Sequence, residues 1–421
     1  MWEKLLERVR RALPSLLALL RWLALAGLTG AACGLAGAAF TWCVAQAAAL
    51  RSAHPWLLFC MPLAGLVIVW SYRAAGMEND SGTNQIIASV RGETRPPVRL
   101  APLNFLGSVL THLTGGSAGR EGAALQIGGS ISAGIGRLLR LGEKNTYTII
   151  QCGMAGLFSA LFGTPLTATV FALEVVDVGH LQYAALFPCL LSALAANAIP
   201  RLLGLPAEHY PLSGVPELGP VSLLQCGALA VLAAVVSILF CVLMHGSGHL
   251  YQKYIPNQYI RALAGAAFVI VLTLLGGSGD YNGAGGQIIE LAVEGEVHVP
   301  WAFALKILFT ALTLGAGFRG GEIVPTLFIG STFGCAVGPL LGLDPAFGAA
   351  VGMIALFCGV VNCPLASIFL AIELFGGGGL PFFALACSLS FLLSGRYSLY
   401  SSQRNVYSKV DARLDDTKPH F

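Results

Sequence analysis

Residues 115–131 read Gly-Gly-Ser-Ala-Gly-Arg-Glu-Gly-Ala-Ala-Leu-Gln-Ile-Gly-Gly-Ser-Ile and place a charged pair, Arg120 and Glu121, among six glycines between two long apolar stretches. An ionisable residue is costly inside a membrane and usually marks an ion path or a proton relay. Glycines let a helix begin abruptly, and the N–H groups and positive dipole at a helix start favour an anion. The stretch therefore predicts a site for negative charge, in which the Glu121 carboxylate competes with a mobile anion as a gate. A glycine-rich turn with two interfacial charges is the alternative interpretation.

The composition predicts an integral membrane protein. Of the 421 residues, 56% are hydrophobic and 11% are charged, whereas a soluble domain carries about 25% charged residues. The net charge of +3 is too small to indicate a nucleic-acid partner. The 11 cysteines lie singly in apolar segments without a C-x-x-C pair, so we expect neither disulfides nor a metal site, and no cofactor.

The chain divides into five predicted segments. Basic residues at the start make an amphipathic segment, residues 1–14, cytoplasmic by the positive-inside rule. A first transmembrane repeat over 15–203 and a second over 221–400 are joined by a Pro-rich linker, 204–220, and followed by a short cytoplasmic tail, 401–421. Many apolar segments are too short to cross a bilayer straight, which is typical of transporters whose helices break at the midplane. We therefore expect an all-α, multi-pass protein.

An internal repeat supports this division. Pro165-Leu-Thr-Ala-Thr-Val-Phe-Ala-Leu-Glu174 recurs as Pro364-Leu-Ala-Ser-Ile-Phe-Leu-Ala-Ile-Glu373, and a Gly-rich, Arg-bearing turn followed by Ile-Gly precedes each copy. We expect Glu174 and Glu373 to be structural and to accept hydrogen bonds from backbone N–H groups at helix breaks. Matching broken helices in two halves predict a binding site between them.

Separated motifs carry a resemblance to a known family. Three motifs resemble those of the CLC family of anion channels and proton-coupled anion antiporters, and they occur in that family's order. They are Ser81-Gly82-Thr83-Asn84, Gly119-Arg-Glu-Gly122 and Gly321-Glu-Ile-Val-Pro325. Ser398-Leu-Tyr400 is similar to the segment whose tyrosine hydroxyl faces the central anion in that family. The resemblance implies a CLC-type fold of two inverted-topology repeats with broken helices. It also implies a homodimer in the cell membrane, in contact with lipid, that transports small inorganic anions and is not an enzyme.

The resemblance also assigns site residues, with Glu121 as the implied gate. The backbone N–H groups of Ile323 and Val324, the hydroxyl of Tyr400 and a hydroxyl from Ser81 or Thr83 would form a cage of neutral donors. An anion can leave such a cage again, which suits transport. The full set of implied anion-binding residues is Ser81, Gly82, Thr83, Asn84, Gly119, Arg120, Gly122, Ile323, Val324 and Tyr400.

Two departures from the family pattern bear on coupling and selectivity. The inner proton-accepting Glu of chloride antiporters is Val175 here, and Glu322 stands where chloride members usually have an apolar residue. We predict that Glu121 and Glu322 transfer protons; capping its helix or pairing with Arg319 is the alternative role of Glu322. These features resemble the bacterial fluoride/proton antiporter branch, although a Thr of that branch is Val324 here. The choices between chloride and fluoride, and between channel and antiporter, stay open.

Two other functional classes are compatible with an apolar chain. An intramembrane enzyme needs a nucleophile and a base, and Ser247 with His249 superficially offers them. A sodium-coupled small-solute carrier usually has more polar side chains at its midplane. Lys306, within an apolar stretch, is predicted to snorkel to the interface, with attraction of anions as the alternative. The leading prediction is transport of a halide, chloride or fluoride, by a channel or in exchange for protons.

Overall fold

The computed structural model describes residues 2–205, 207–296, 299–411 and 413–419, with the backbone alone for 2–15 and 415. The described chain contains 16 α-helices. The first eight are α1 (Trp2–Ala53), α2 (Met61–Ala74), α3 (Thr83–Val90), α4 (Leu100–Leu113), α5 (Glu121–Leu138), α6 (Glu143–Phe162), α7 (Pro165–Glu174) and α8 (Leu186–Leu202). The second eight are α9 (Pro220–Tyr254), α10 (Gln258–Gly276), α11 (Gly286–Val293), α12 (Ala302–Gly315), α13 (Ile323–Val337), α14 (Pro345–Val361), α15 (Pro364–Phe375) and α16 (Leu380–Leu393).

The two sets of eight helices correspond in order, and two of the pairs match in length. The third helix of each set has 8 residues and the fourth has 14. Six helical stretches among the described residues are long and apolar enough to cross a membrane, and several shorter apolar helices accompany them. The chain is therefore a multi-pass membrane protein whose shorter helices reach only part of the way across the bilayer.

The repeats brace each other through two glutamates. The carboxylate of Glu174, at the end of α7, accepts the backbone N–H groups of Leu365 (3.2 Å) and Ala366 (2.9 Å) at the start of α15. The carboxylate of Glu373, in α15, accepts the N–H groups of Leu166 (3.0 Å) and Thr167 (2.8 Å) at the start of α7. The structural role predicted for both glutamates is confirmed. The reciprocal contact also shows that α7 and α15 run in opposite directions.

Glycines allow close packing at corresponding places in the two repeats. A Cβ on Gly128 would lie 2.2 Å from the carbonyl oxygen of Gly153, and one on Gly330 would lie 2.6 Å from that of Gly352. Helices α5 and α6 in one repeat, and α13 and α14 in the other, therefore touch backbone to backbone, as small residues permit in membrane proteins.

A small three-stranded sheet accompanies the helices. Strands β1 (Asp177–Val178), β2 (Arg404–Tyr407) and β3 (Leu414–Thr417) form one small sheet, with β1 and β2 parallel and β2 and β3 antiparallel. Arg91 donates hydrogen bonds to the carbonyl oxygens of Val176 (3.0 Å) and Ser402 (2.5 Å). A further hydrogen bond from Arg91 lowers the pKa of Glu93. The tail thus folds back onto the first repeat.

The predicted segment boundaries fall in this architecture as follows. Residues 2–14 form the beginning of α1, and the predicted linker lies between the end of α8 and the start of α9. The predicted segments include seven residues outside the described ones: Met1, Pro206, Val297, His298, Ala412, His420 and Phe421.

Candidate functional site

The two glycine-rich motifs meet at the centre of the fold. Gly119 and Gly321 exchange a pair of backbone hydrogen bonds, each 2.7 Å from nitrogen to oxygen. A Cβ on Gly321 would lie 2.2 Å from the nitrogen of Gly122, so only glycine permits this approach. The starts of α5 and α13, one from each repeat, are held side by side as a result.

The Glu121 carboxylate is buried at this meeting point. Glu121 is the first residue of α5, and its side chain is 0% exposed. Its Oε2 accepts the backbone N–H of Arg120 at 2.9 Å. A Cβ on Gly119 would lie 2.6 Å from that oxygen and 3.1 Å from the Cβ of Val324. The carboxylate therefore folds back beside the start of α13, where an unpaired helix N-terminus favours negative charge.

Arg120 is engaged by two carboxylates. Its Nε lies 3.3 Å from Oε1 of Glu121, and its Nη2 donates to Oε1 of Glu208, in the segment between α8 and α9. Its side chain is 19% exposed. The two glutamates neutralise the charge of Arg120 in this arrangement, and its anion-binding role stays a prediction. The N–H of Gly119 is likewise committed to the bridge with Gly321 and is not free for an anion.

A central cavity of about 230 Å³ lies on one side of the meeting point. Its lining comes from both repeats and consists of Asp80, Ser81, Gly82, Thr83, Asn84, Gln126, Leu314, Phe318, Arg319, Gly320, Glu322, Leu399 and Tyr400. Within the described part of the chain, neither the Tyr400 hydroxyl nor Oε2 of Glu322 has a hydrogen-bond partner, and both atoms are buried. Buried polar groups are normally satisfied, so two unpaired ones at the same cavity require an explanation.

The predicted anion-binding residues fall into two groups. Ser81, Gly82, Thr83, Asn84 and Tyr400 line the central cavity together with Glu322. The others lie in the two helix-start motifs that meet at Gly119 and Gly321; these are Gly119, Arg120, Gly122, Ile323 and Val324. The structure therefore separates an inner cavity from a gate region.

Ser81 and Thr83 differ in how their hydroxyls are used. The Thr83 hydroxyl is buried, donates to the carbonyl of Gly122 (3.4 Å) and lies 3.3 Å from Nε2 of Gln126. Ser81 is exposed to the cavity. The Asn84 side-chain oxygen accepts the backbone N–H of Ser402 at 2.9 Å, which ties the start of α3 to the segment carrying Tyr400.

A larger cavity, which we call the vestibule, adjoins the central one. It has a volume of about 790 Å³, and Asp80, Ser81, Asn84, Arg319 and Glu322 line both cavities. Glu78, just after the end of α2, and Gln258, the first residue of α10, also line it. The predicted cytoplasmic placement of residues 1–14 would put the vestibule on the cytoplasmic side, since α1 and α2 would each cross once before it.

Both alternative roles of Glu322 and the predicted snorkelling of Lys306 are wrong. The Glu322 side chain makes no capping hydrogen bond at the start of α13, and Arg319 pairs with Asp80 at 2.8 Å instead. Lys306 does not snorkel, because it is 0% exposed and donates to the carbonyls of Tyr281 (3.1 Å) and Gly283 (2.7 Å).

The proposed Ser/His pair has no catalytic geometry. The Ser247 hydroxyl donates to the carbonyls of Met244 and Ala311, both at 2.9 Å. A hydroxyl used in this way is not activated by a base. Among the described residues, no group of three or more His, Cys, Asp or Glu side chains is placed to hold a metal ion.

Sequence reasoning missed a buried polar chain beside the cavity. Gln126 accepts a hydrogen bond from Asn104, and the Ser108 hydroxyl donates to Asn104 at 3.0 Å. His112 follows, with its Nδ1 2.8 Å from the carbonyl of Ser108. The signal was present, because Asn104, Ser108 and His112 recur every four residues along the apolar helix α4.

Comparisons with known proteins agree with this architecture. The sequence matches the family described as voltage gated chloride channel over residues 64–395. The "Chloride/fluoride channel protein" of Pseudomonas syringae pv. tomato is 34% identical over 411 residues, which cover 94% of this chain and 91% of that protein. The "H(+)/Cl(-) exchange transporter ClcA" of Vibrio cholerae serotype O1 is 29% identical over 296 residues, which cover 66% of this chain and 62% of that protein.

Two solved structures share the fold. A CLC-type fluoride/proton antiporter superposes with a TM-score of 0.89 at 32% identity, over 92% of this chain and 98% of that one. A slow cyanobacterial Cl⁻/H⁺ antiporter has a TM-score of 0.77 at 21% identity, over 89% of this chain and 94% of that one. The second likeness is one of fold alone. The predicted fold, two inverted repeats with broken helices, is confirmed.

Proposed function

The chain belongs to the voltage-gated chloride channel family, and on that premise we propose that it exchanges a small halide anion for protons across the cell membrane, with Glu121 as the gate. The anion enters the central cavity from the vestibule and leaves past Glu121. Glu322 and Glu121 carry the proton between the two sides. Fluoride is the preferred anion.

The observation that carries this proposal is the pair of unpartnered buried groups at the central cavity. The Tyr400 hydroxyl is a donor without an acceptor, and a halide would supply one. Oε2 of Glu322 is buried at the same cavity, and a Cβ added to Gly122 would lie 2.8 Å from it. A halide beside Glu322 favours a protonated carboxyl group, since two negative charges repel at short range. Anion binding and proton uptake are coupled in this way at one cavity.

Glu121 suits the role of a gate because its hydrogen bonds depend on its charge. It accepts a backbone N–H and a guanidinium contact from Arg120 through its carboxylate oxygens. A proton on the carboxyl group weakens both contacts, because they are strongest to an ionised acceptor. The protonated side chain then leaves the helix starts, and an anion takes its place.

Three observations support fluoride and coupled exchange. The relative from Pseudomonas syringae is named for chloride and fluoride, and the structure with the TM-score of 0.89 is titled a fluoride/proton antiporter. Glu322 faces the cavity, as a proton carrier must. Val175 leaves no inner carboxylate at the usual place, which favours a route through Glu322. If Glu322 carries no proton, the same absence favours a passive channel instead.

We also propose that the protein is a homodimer embedded in lipid, with one pore in each subunit. Residues from both repeats of one chain line the central cavity and the gate region, which fits one pore in each subunit. Large apolar side chains are exposed along α1, α2, α9 and α10 and fit a lipid environment. Crosslinking in mild detergent is expected to trap a dimer; trapping only monomer would contradict this part of the proposal.

The proposal is tested in liposomes that contain the purified protein. Proton movement is recorded under a fluoride gradient and under a chloride gradient for the wild type, Glu121→Gln and Glu322→Gln. Glu290→Gln, at an exposed position of α11, is the matched control. We expect fluoride to drive protons much better than chloride, both site variants to lose this coupling, and the control to keep it.

Each part of the proposal has its own contradicting outcome. Equal proton movement under both gradients would overturn the fluoride preference. Coupling that survives Glu322→Gln would remove Glu322 from the proton route. Intact coupling in Glu121→Gln, with anion flux preserved, would remove Glu121 as the gate.

A further inference from the structure

An ion pair lies where the vestibule meets the central cavity. Nη1 of Arg319 lies 2.8 Å from Oδ2 of Asp80, and both residues line both cavities. The Asp80 side chain is 0% exposed and that of Arg319 is 20% exposed. Asp80 directly precedes the turn that starts α3, and Arg319 directly precedes the turn that starts α13. The pair therefore connects the two repeats at the inner entrance of the anion path.

Residues of the first repeat pack closely around Arg319 of the second repeat. The guanidinium carbon of Arg319 lies 3.8 Å from the centre of the Tyr72 ring. A Cβ on Gly107 would lie 3.0 Å from the Cβ and Cγ of Arg319, so glycine makes room for its stem. The backbone N–H of Arg319 donates to the Thr111 hydroxyl at 3.3 Å. Contacts from α2 and α4, besides Asp80, fix the position of the positive charge.

The pair leaves hydrogen-bonding capacity unused. Nε of Arg319 and Oδ1 of Asp80 are buried and have no hydrogen-bond partner among the residues that the structure describes. A guanidinium group has five N–H donors in a rigid fork, and a single carboxylate oxygen occupies only part of it. Arg319 can thus bind an arriving anion while Asp80 keeps part of its contact, or after Asp80 has moved away.

We propose that Asp80 and Arg319 form an inner gate, at which an anion arriving from the vestibule competes with Asp80 for Arg319. The inference rests on the proposed transport function and adds residues to its path. When the anion passes into the central cavity, Asp80 takes the arginine back. Conduction requires binding that is favourable enough for entry and weak enough for exit. Arg319 alone would hold the anion too long, and Asp80 alone would repel it.

The experiment measures fluoride and chloride binding by calorimetry, and anion flux in liposomes, for Asp80→Asn, Arg319→Gln and the double variant. From one charge-assisted hydrogen bond we expect Asp80→Asn to tighten binding about tenfold and slow the maximal flux, and Arg319→Gln to weaken binding about tenfold. The double variant should return close to the wild-type affinity. The matched control neutralises Arg95 and Glu143, an exposed pair 3.0 Å apart that lines neither cavity, and should change little.

A structural brace would give a different pattern. Shifts of binding in the same direction for both single variants, or equal shifts for the control pair, would overturn the inner gate. If a neutral variant does not fold, Arg319→Lys keeps the charge but loses the fork of donors, and it should weaken anion binding. Unchanged anion binding in Arg319→Lys would also overturn the proposal. Absence of anion flux in the wild type would instead overturn the transport function, which separates the two failures.

Discussion

Replacing Tyr400 by Phe tests the central cavity with the smallest possible change. The side chain is 1% exposed, and its hydroxyl is one of the buried groups without a hydrogen-bond partner. The substitution removes one oxygen and leaves the ring in place. The substitution therefore removes only the Tyr400 hydroxyl as a donor to an anion in the cavity.

The magnitude follows from the worth of one hydrogen bond to a charged acceptor. Such a bond contributes about 1.5–3 kcal/mol, so Tyr400→Phe should weaken halide binding by about 10- to 150-fold. Stability should respond in the opposite way. No partner in the described protein loses a bond, so the free energy of unfolding without halide should stay unchanged or rise slightly, since an unsatisfied buried group is removed.

Calorimetry and thermal unfolding together separate the two possible roles of the hydroxyl. Wild type and Tyr400→Phe are titrated with fluoride and with chloride, and their unfolding temperatures are measured with and without halide. We expect halide to raise the unfolding temperature of the wild type but not that of Tyr400→Phe. Without halide, the two proteins should unfold at the same temperature. Equal affinity in both proteins, or a variant that is destabilised without halide, would refute the assignment of Tyr400 to the anion.

Three further predictions follow from specific contacts. Gly119→Ala places a Cβ 2.6 Å from Oε2 of Glu121. The variant should displace the Glu121 side chain and let anions cross the liposome membrane without protons. Proton movement as large as in the wild type under the same anion gradient would contradict this. Glu373→Gln keeps one acceptor oxygen where two accept bonds from the start of α7; we expect about 1.5–3 kcal/mol lower stability, measured by denaturant unfolding, with transport coupling unchanged. Arg91→Gln removes the bonds to Val176 and Ser402; the tail after residue 403 should then be cleaved faster by a protease added from the cytoplasmic side, and an unchanged cleavage rate would show that the sheet holds without Arg91.

Local patterns predicted the fold well where the signal lies within one element. Proline at the start and glutamate near the end of α7 and α15 revealed the repeat, and the structure confirms the bonds of Glu174 and Glu373 across it. The glycine motifs around Glu121 and Glu322 marked two helix starts, and α5 begins at Glu121 and α13 directly after Glu322. Both signals follow from backbone rules for helix starts and close packing.

Contacts between distant segments were not predictable in the same way. Arg319 pairs with a residue 239 positions away, and Arg120 with Glu208, 88 positions away. Spacing along the chain does not specify which acidic residue the fold brings to a given arginine. For the same reason, the sequence could not divide the anion-binding residues between the central cavity and the gate region. The three strands were missed because each has only 2 to 4 residues.

Uphill proton movement is the most direct test of the central claim. Liposomes containing the wild-type protein are given a fluoride gradient at equal pH on both sides, with the voltage held at zero by potassium and valinomycin. Coupled exchange predicts that the fluoride gradient drives protons across the membrane and creates a pH difference. Fluoride flux without any pH difference would contradict the account and identify a passive channel.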